Sequence, residues 1–150
     1  MANYTTYSFL DVFGTITGPN GTIPLGSSAG TADEGITITF AEDQDTMTIG
    51  ADGNGMHSIH AGQSGMVSVR FLKSSPTNAL LQSMYAADRN PISSGGQNVI
   101  TVSWLTGGDV TTAKQCAFRK FPDNVYGKDA ALLEWQFNAI LITPLLGSGN

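Results

Sequence analysis

The sequence predicts a mainly β domain carrying one amphipathic α-helix. Three observations carry that reading. First, residues 65–71 alternate: Val67, Val69 and Phe71 point one way, Ser68 and Arg70 the other, the period of a strand with one buried face. Second, the period then changes. Ser75 can cap a helix and Pro76 suits its first position, because the missing N–H has no partner to lose there. Leu80, Leu81, Met84 and Tyr85 fall on one helical face, and Gln82, Ser83 and Asp88 away from it. The helix spans about 76–89 and stops at Asn90-Pro91. Third, other stretches alternate between turn signals, and none has a convincing helical period.

Taken in order, Tyr7 to Thr17 is strand-like, with Leu10, Val12 and Ile16 on one side and Phe9 and Phe13 on the other. Gly18-Pro19-Asn20-Gly21 is a turn. The stretch from Gly18 to Gly35 is rich in small residues and reads as a long exposed loop with little to pack. Ile36, Ile38 and Phe40 alternate with Thr37 and Thr39, and Met47 and Ile49 alternate with Thr46 and Thr48. Asp52-Gly53-Asn54-Gly55 turns the chain into a third short strand, Met56 to His60, and sequential pairing makes the whole a meander. Beyond the helix, Asn98, Ile100, Val102 and Trp104 form one face of a strand, and Cys116 and Phe118 one face of the next. In the last strand Leu133, Trp135, Phe137, Ala139 and Leu141 face one way, and Glu134, Gln136 and Asn138 the other. A helix is the rival reading for residues 129–142, but five unbroken alternations favour a strand.

A chain of 150 residues is most simply one domain, and it buries roughly 68–70% of its unfolded surface without needing a disulfide or metal. Cys116 is the single cysteine and has no partner for an internal bridge. No secretion leader and no run long enough to cross a membrane is read from the sequence, so no membrane insertion is expected. Charged residues make up 13%, against about 25% in a typical soluble domain. The net charge of −5 argues against gripping nucleic acid, which needs clustered Lys and Arg.

No constellation carries catalysis. His57 and His60 are the only histidines, and three-residue spacing puts them on opposite faces of a strand, so no metal site is expected. Asp52-Gly53-Asn54-Gly55 begins like a calcium loop but lacks the later ligands, including the glutamate at position twelve. Cys116 alternates with Phe118 on an apolar face and reads as a buried structural thiol. There is no nucleophile elbow and no phosphate-binding loop, and no cofactor is expected. These features favour a structural or binding role over an enzyme.

Residues 46–53 (Thr-Met-Thr-Ile-Gly-Ala-Asp-Gly), Met56-His57-Ser58, and the Val69-Arg70-Phe71-Leu72-Lys73-Ser74-Ser75-Pro76 core within residues 65–85 resemble the tail tube proteins of contractile-tailed bacteriophages. Collinear support comes from residues 8–12, 23–26, 33–36, 96–102 and 128–135, so the resemblance spans nearly the whole chain. It implies a β-sandwich or partial barrel that completes a β-barrel ring in the oligomer. Such subunits form hexameric rings, which stack into a hollow tube inside a contractile sheath. The tube is a virion component, assembled in the host cytoplasm, through which phage DNA passes without specific binding. The implied partners are the chain itself and the sheath, tape measure, baseplate and tail terminator proteins.

Within that resemblance, Glu134, Gln136 and Asn138 are the candidate lumen-facing residues. Pro19, Asn20, Ile23 and Leu25 are candidates for an inter-ring loop, and Leu80, Leu81, Met84 and Tyr85 for a buried helix face. Six copies at −5 make about −30 per ring, a charge that keeps DNA from sticking. The alternatives are a type VI secretion tube-like protein, another tube-fold virion component such as a terminator or baseplate piece, and, from a different class, a carbohydrate-binding β-sandwich.

Overall fold

The computed structural model describes residues 6–26, 31–89 and 95–148, without the side chains of 31–34. Asn90-Pro91, the expected helix stop, lies outside the described residues. The strands are β1 (Val12–Gly18), β2 (Gly21–Pro24), β3 (Thr31–Phe40), β4 (Asp45–Ile49), β5 (Gly55–Ile59), β6 (Gly65–Phe71), β7 (Asn98–Trp104), β8 (Asp109–Lys120) and β9 (Leu133–Leu145). A 3-10 turn, Phe9–Asp11, precedes β1, and the helix α1 covers Thr77–Asp88. Seven strands form one antiparallel sheet in the order β2-β1-β7-β8-β9-β6-β3, and β4 and β5 form a separate hairpin.

The sheet curls around its own apolar face but does not close. β2 and β3 are its terminal strands. β1 and β3 approach each other across the gap: a methyl added at Gly14 would lie 3.6 Å from Ile36 Cδ1 and 3.5 Å from Leu25 Cβ. The fold is therefore mainly β with one helix, as the alternation predicts, and the subunit alone is an open barrel. The core runs through Ile16, Leu25, Val67, Val69, Phe71 and Ile100 to Trp135 and Phe137, which are 1% exposed or less. Phe118 joins it edge-on, with its ring 4.8 Å from Phe137 and 5.9 Å from Trp135.

α1 lies on this apolar side. The Ser75 hydroxyl accepts the Thr77 N–H at 3.3 Å, but the helix starts one residue later than expected, with Pro76 at the N-cap position and no side-chain capping bond from it. Asn78, in the first turn, accepts the indole N–H of Trp135 at 3.0 Å and donates to the Leu72 carbonyl at 3.0 Å. The helix start is thereby tied to β9 and to the end of β6. Leu81 and Met84 are buried, and Tyr85 packs edge-on against Phe118 at 5.5 Å.

Four sequence expectations are corrected. The stretch from Gly18 to Gly35 is not a long loop: β2 pairs with β1 from Thr15↔Pro24 to Gly18↔Gly21, and β3 begins at Thr31. Ile23 and Leu25 belong to the core, because two branched apolar residues two apart fill the inner face of a short strand. Gly26 packs so tightly on β1 that a Cβ there would lie 2.7 Å from Phe13 Cα. The meander also fails at two steps, from β3 to β4 and from β5 to β6. β3 skips the hairpin and pairs with β6, through Ile36↔Val69 and Ile38↔Val67.

On α1, Leu80 is 51% exposed and Asp88 is buried. The inward face is Thr77, Leu81, Met84 and Asp88, spaced by four, three and four, so Leu80 is rotated off it. Finally, the N-terminal stretch starts its strand only at Val12, and Leu10 is exposed on the preceding turn.

Candidate functional site

The outward face of β9 meets polar residues from three neighbouring strands. Glu134 stands opposite Arg70, Gln136 opposite Ser68, and Asn138 opposite Met66. On the next strand Thr37 stands opposite Ser68. Side-chain contacts join these positions into a chain. Arg70 donates to Thr37 Oγ1 at 3.3 Å and forms a 2.8 Å salt bridge with Glu134. Gln136 donates to Glu134 at 2.7 Å and accepts from Arg119 of β8 at 3.0 Å. The relay thus crosses β3, β6, β9 and β8 without a break, each member holding the rotamer of the next.

This assembles the predicted Glu134 and Gln136 into one site and leaves Asn138 exposed beside it. Its charge is not the one the sequence implies. Glu134 carries one negative charge against the two positive charges of Arg70 and Arg119, so the relay is not acidic. Arg119 and the register linking Arg70 to Glu134 are invisible in the alternation of β9 alone.

Two strand edges that have no strand partner among the described residues flank this face. β3 is a terminal strand. At the other side, β8 pairs with β7 only as far as Asn98↔Cys116; beyond it, β9 is the one strand paired with β8 among the described residues. Unpaired edges of this kind template pairing with another chain.

A second exposed feature is the β4–β5 hairpin. It stands clear of the sheet, with its residues exposed on both faces apart from a half-buried Ser58. Met47, Ile49 and Ile59 lie on one face, 60%, 55% and 77% exposed. His57 Nδ1 contacts Asp45 Oδ2 at 2.8 Å on that same face, while His60 bonds Thr46 at 2.9 Å. The two histidines are thus divided between hydroxyl and carboxylate partners. Among the described residues no group of His, Cys, Asp and Glu is arranged to hold a metal. At the tip, Asp52 accepts from the Asn54 backbone N–H at 3.1 Å, which lowers its pKa below the usual carboxylate value and makes the motif a hairpin turn.

The candidate inter-ring residues divide. Pro19 and Asn20 are exposed on the β1–β2 turn, whereas Ile23 and Leu25 are internal. Asn20 also donates to Asp88 Oδ1 at 2.5 Å, and Asn98, fully buried, donates to Asp88 Oδ2 at 2.7 Å. The turn is pinned to the end of α1 by a buried carboxylate. Cys116 is buried, its thiol pKa pushed up to about 11 by desolvation, the state of a packing residue and not of a nucleophile.

Over residues 4–147 the sequence matches the family described as bacteriophage PhiTE tail tube protein. The chain belongs to that tail tube family. No curated protein matches it. Among solved structures, it is similar to the tube-terminating cap of the anti-feeding prophage, with TM-score 0.59, 14% identity, and coverage of 98% of this chain and 95% of that one. It is equally similar to a chain of the PVC extracellular contractile injection system sheath–tube complex in its extended state, with TM-score 0.59 and 13% identity over 97% and 94%. A chain of the anti-feeding prophage baseplate, 6-fold symmetrised, matches with TM-score 0.60 and 10% identity over the full length of both. At these identities the structures share the fold. The tail tube family is structural, so the chain is a structural tube component and not an enzyme.

Proposed function

We propose that this tail tube protein forms hexameric rings that stack into a conduit for phage DNA, with the Arg70–Glu134–Gln136–Arg119 face turned to the lumen. The observation that carries the reading is the position of that relay. It covers the outside of a four-strand section, β3-β6-β9-β8, whose two free edges are β3 and residues 117–120. Joining the β3 edge of one subunit to the β8 edge of the next removes both edges and leaves the polar face as the continuous inner wall. The apolar core and α1 then lie behind that wall. The fold shared with a chain of a 6-fold symmetrised baseplate supports a ring of six.

The inner wall is partly charge-compensated: Glu134 pairs directly with Arg70 and holds Arg119 only through Gln136. One carboxylate against two guanidinium groups leaves a small net positive charge per subunit, and screening confines its field to about 8 Å from the wall at physiological salt. The partners of this reading are further copies of the chain, and the sheath, tape measure, baseplate and terminator of the tail. The fold shared with a chain of a sheath–tube complex supports the sheath among them. Assembly takes place in the host cytoplasm, and the product is part of the virion.

Mass photometry of the purified protein tests the ring. A species of six subunit masses, and multiples of it, is the expected result. A monomer at every concentration, with or without a tail initiator complex, would remove the ring.

A further inference from the structure

Phe118, Phe137, Val67 and Ile38 stand side by side across β8, β9, β6 and β3. Lys120, Gln136, Ser68 and Thr37 form a second such row. Three antiparallel pairings leave β8 and β3 running in opposite directions. The β3 of a further copy can therefore extend the section at β8 as one more antiparallel strand. A mostly apolar cleft between Tyr85, Arg89, Ala117 and Phe118 opens at that edge of β8, where the added strand would run.

The strands of a closed barrel tilt by about 35–45° from its axis. With strands about 4.8 Å apart and about 3.3 Å per residue, that tilt shifts the register by roughly 1–1.5 residues per strand. Across a four-strand section the shift is about four to six residues, whatever the number of copies in the ring. A level junction, with Phe118 beside Ile38 of the next copy, would require untilted strands. The shift has two senses. In one, the free β8 edge lies beside residues 41–45, which follow the end of β3 at Phe40 and lead into β4. In the other it lies beside residues 31–35, the start of β3, and strand meets strand.

We infer that the start of β3 in one copy pairs antiparallel with β8 of the next, about four to six residues out of the level register, which sets Arg119 and Lys120 beside residues 31–35. This rests on the ring reading and deepens it, because it fixes the register at which the sheets join and with it the tilt of the wall. Charge favours the same partners. Residues 117–120 include two cations, and Lys120 is exposed without a hydrogen-bond or ion-pair partner among the described residues. The β3 sequence holds Asp33 and Glu34 and no Lys or Arg. Joining β3 to β3, or β8 to β8, would set like charges together. Each copy therefore accepts its neighbour in one direction, the head-to-tail contact from which rings are built.

Disulfide trapping in assembled rings tests the register. Each full-length chain carries Lys120→Cys with one further cysteine substitution, and copper–phenanthroline is the oxidant. Within one subunit β8 and β3 are three strand spacings apart, roughly 14 Å, so any disulfide joins two copies. The native Cys116 is buried and stays silent. Asp33→Cys or Glu34→Cys should give a ladder of linked chains ending at six. Thr37→Cys, the level register, and Glu42→Cys, the opposite shift, should give none. An exposed ion pair contributes little, so loss of the Lys120 charge should leave rings intact. Where a cysteine variant does not assemble, charge reversal decides: Lys120→Glu should lose rings at low salt, and Lys120→Glu with Glu34→Lys should regain them. Rings linked only through Thr37→Cys or Glu42→Cys, rings linked through none of the pairs, or failure of the second reversal to regain rings would overturn the register while leaving the ring reading in place. Failure of the unaltered chain to form rings at any concentration or salt would overturn both.

Discussion

Arg70 on β6 and Glu134 on β9 face each other in register and close a 2.8 Å salt bridge on the outer polar face of the sheet. Both side chains are about one-third exposed, so within a single subunit the pair contributes little, roughly 0.5 kcal/mol. Its importance is positional. Glu134→Gln should shift the subunit's melting temperature only slightly and still permit tubes. It removes the single carboxylate between Arg70 and Arg119, so the wall becomes more cationic and DNA passage should slow. DNA ejection from particles built with Glu134→Gln, followed by dye release, checks this; an unchanged ejection rate would place the relay away from the lumen.

The helix face gives a contrast between adjacent residues. Leu81 is fully buried and Leu80 is half exposed. Leu81→Ala should cost roughly 2–5 kcal/mol in chemical denaturation. Leu80→Ala should cost well under that in the free subunit. Equal losses at both positions would contradict the assigned face.

Ile23 and Leu25 form part of the core. Leu25→Ala should destabilise by roughly 2–5 kcal/mol, as at other fully buried leucines. Deleting Asn20 to Ala32 removes β2 and two core side chains, and the chain should no longer give a cooperative melt. A deletion variant that melts like the intact protein would show that β2 does not contribute to the subunit's stability.

How much of this was legible depended on how much periodicity each element displays. β6 and the first half of β9 declare themselves, because Val67, Val69, Phe71, Trp135, Phe137 and Ala139 alternate without interruption. Past Ala139 the pattern breaks: Ile142 is buried and Ile140 exposed, opposite Gln115, whose φ of 56° places it in the left-handed region. A bulge set by one backbone angle leaves no mark in residue type. Asp88 reads from the sequence as lying off the buried face with Gln82 and Ser83, yet it is buried, and the bonds from Asn20 and Asn98 show how its carboxylate is accommodated. The polar stripe of β9 was readable. The arginines that complete it were not, since register between distant strands is a property of the fold.

The thiol of Cys116 offers a pH test. Burial raises its pKa from 9.0 to about 11, so the folded chain retains a proton that the unfolded chain releases. This contribution to stability is full below pH 9 and is lost as pH rises toward 11. Ellman's reagent at neutral pH should therefore leave the native protein unlabelled and label one thiol per chain in denaturant. Rapid labelling of the native protein would show that the core around Cys116 is open.

The central claim is that six of these subunits close their sheets into a ring with the Arg70–Glu134 face inward. Cryo-electron microscopy of tubes assembled from the purified chain measures this directly. The account predicts stacked six-fold rings whose inner wall is β3-β6-β9-β8, with Arg70, Glu134, Gln136 and Arg119 lining the channel. A tube with those residues on its outer surface, or buried between rings with another face toward the channel, would contradict it.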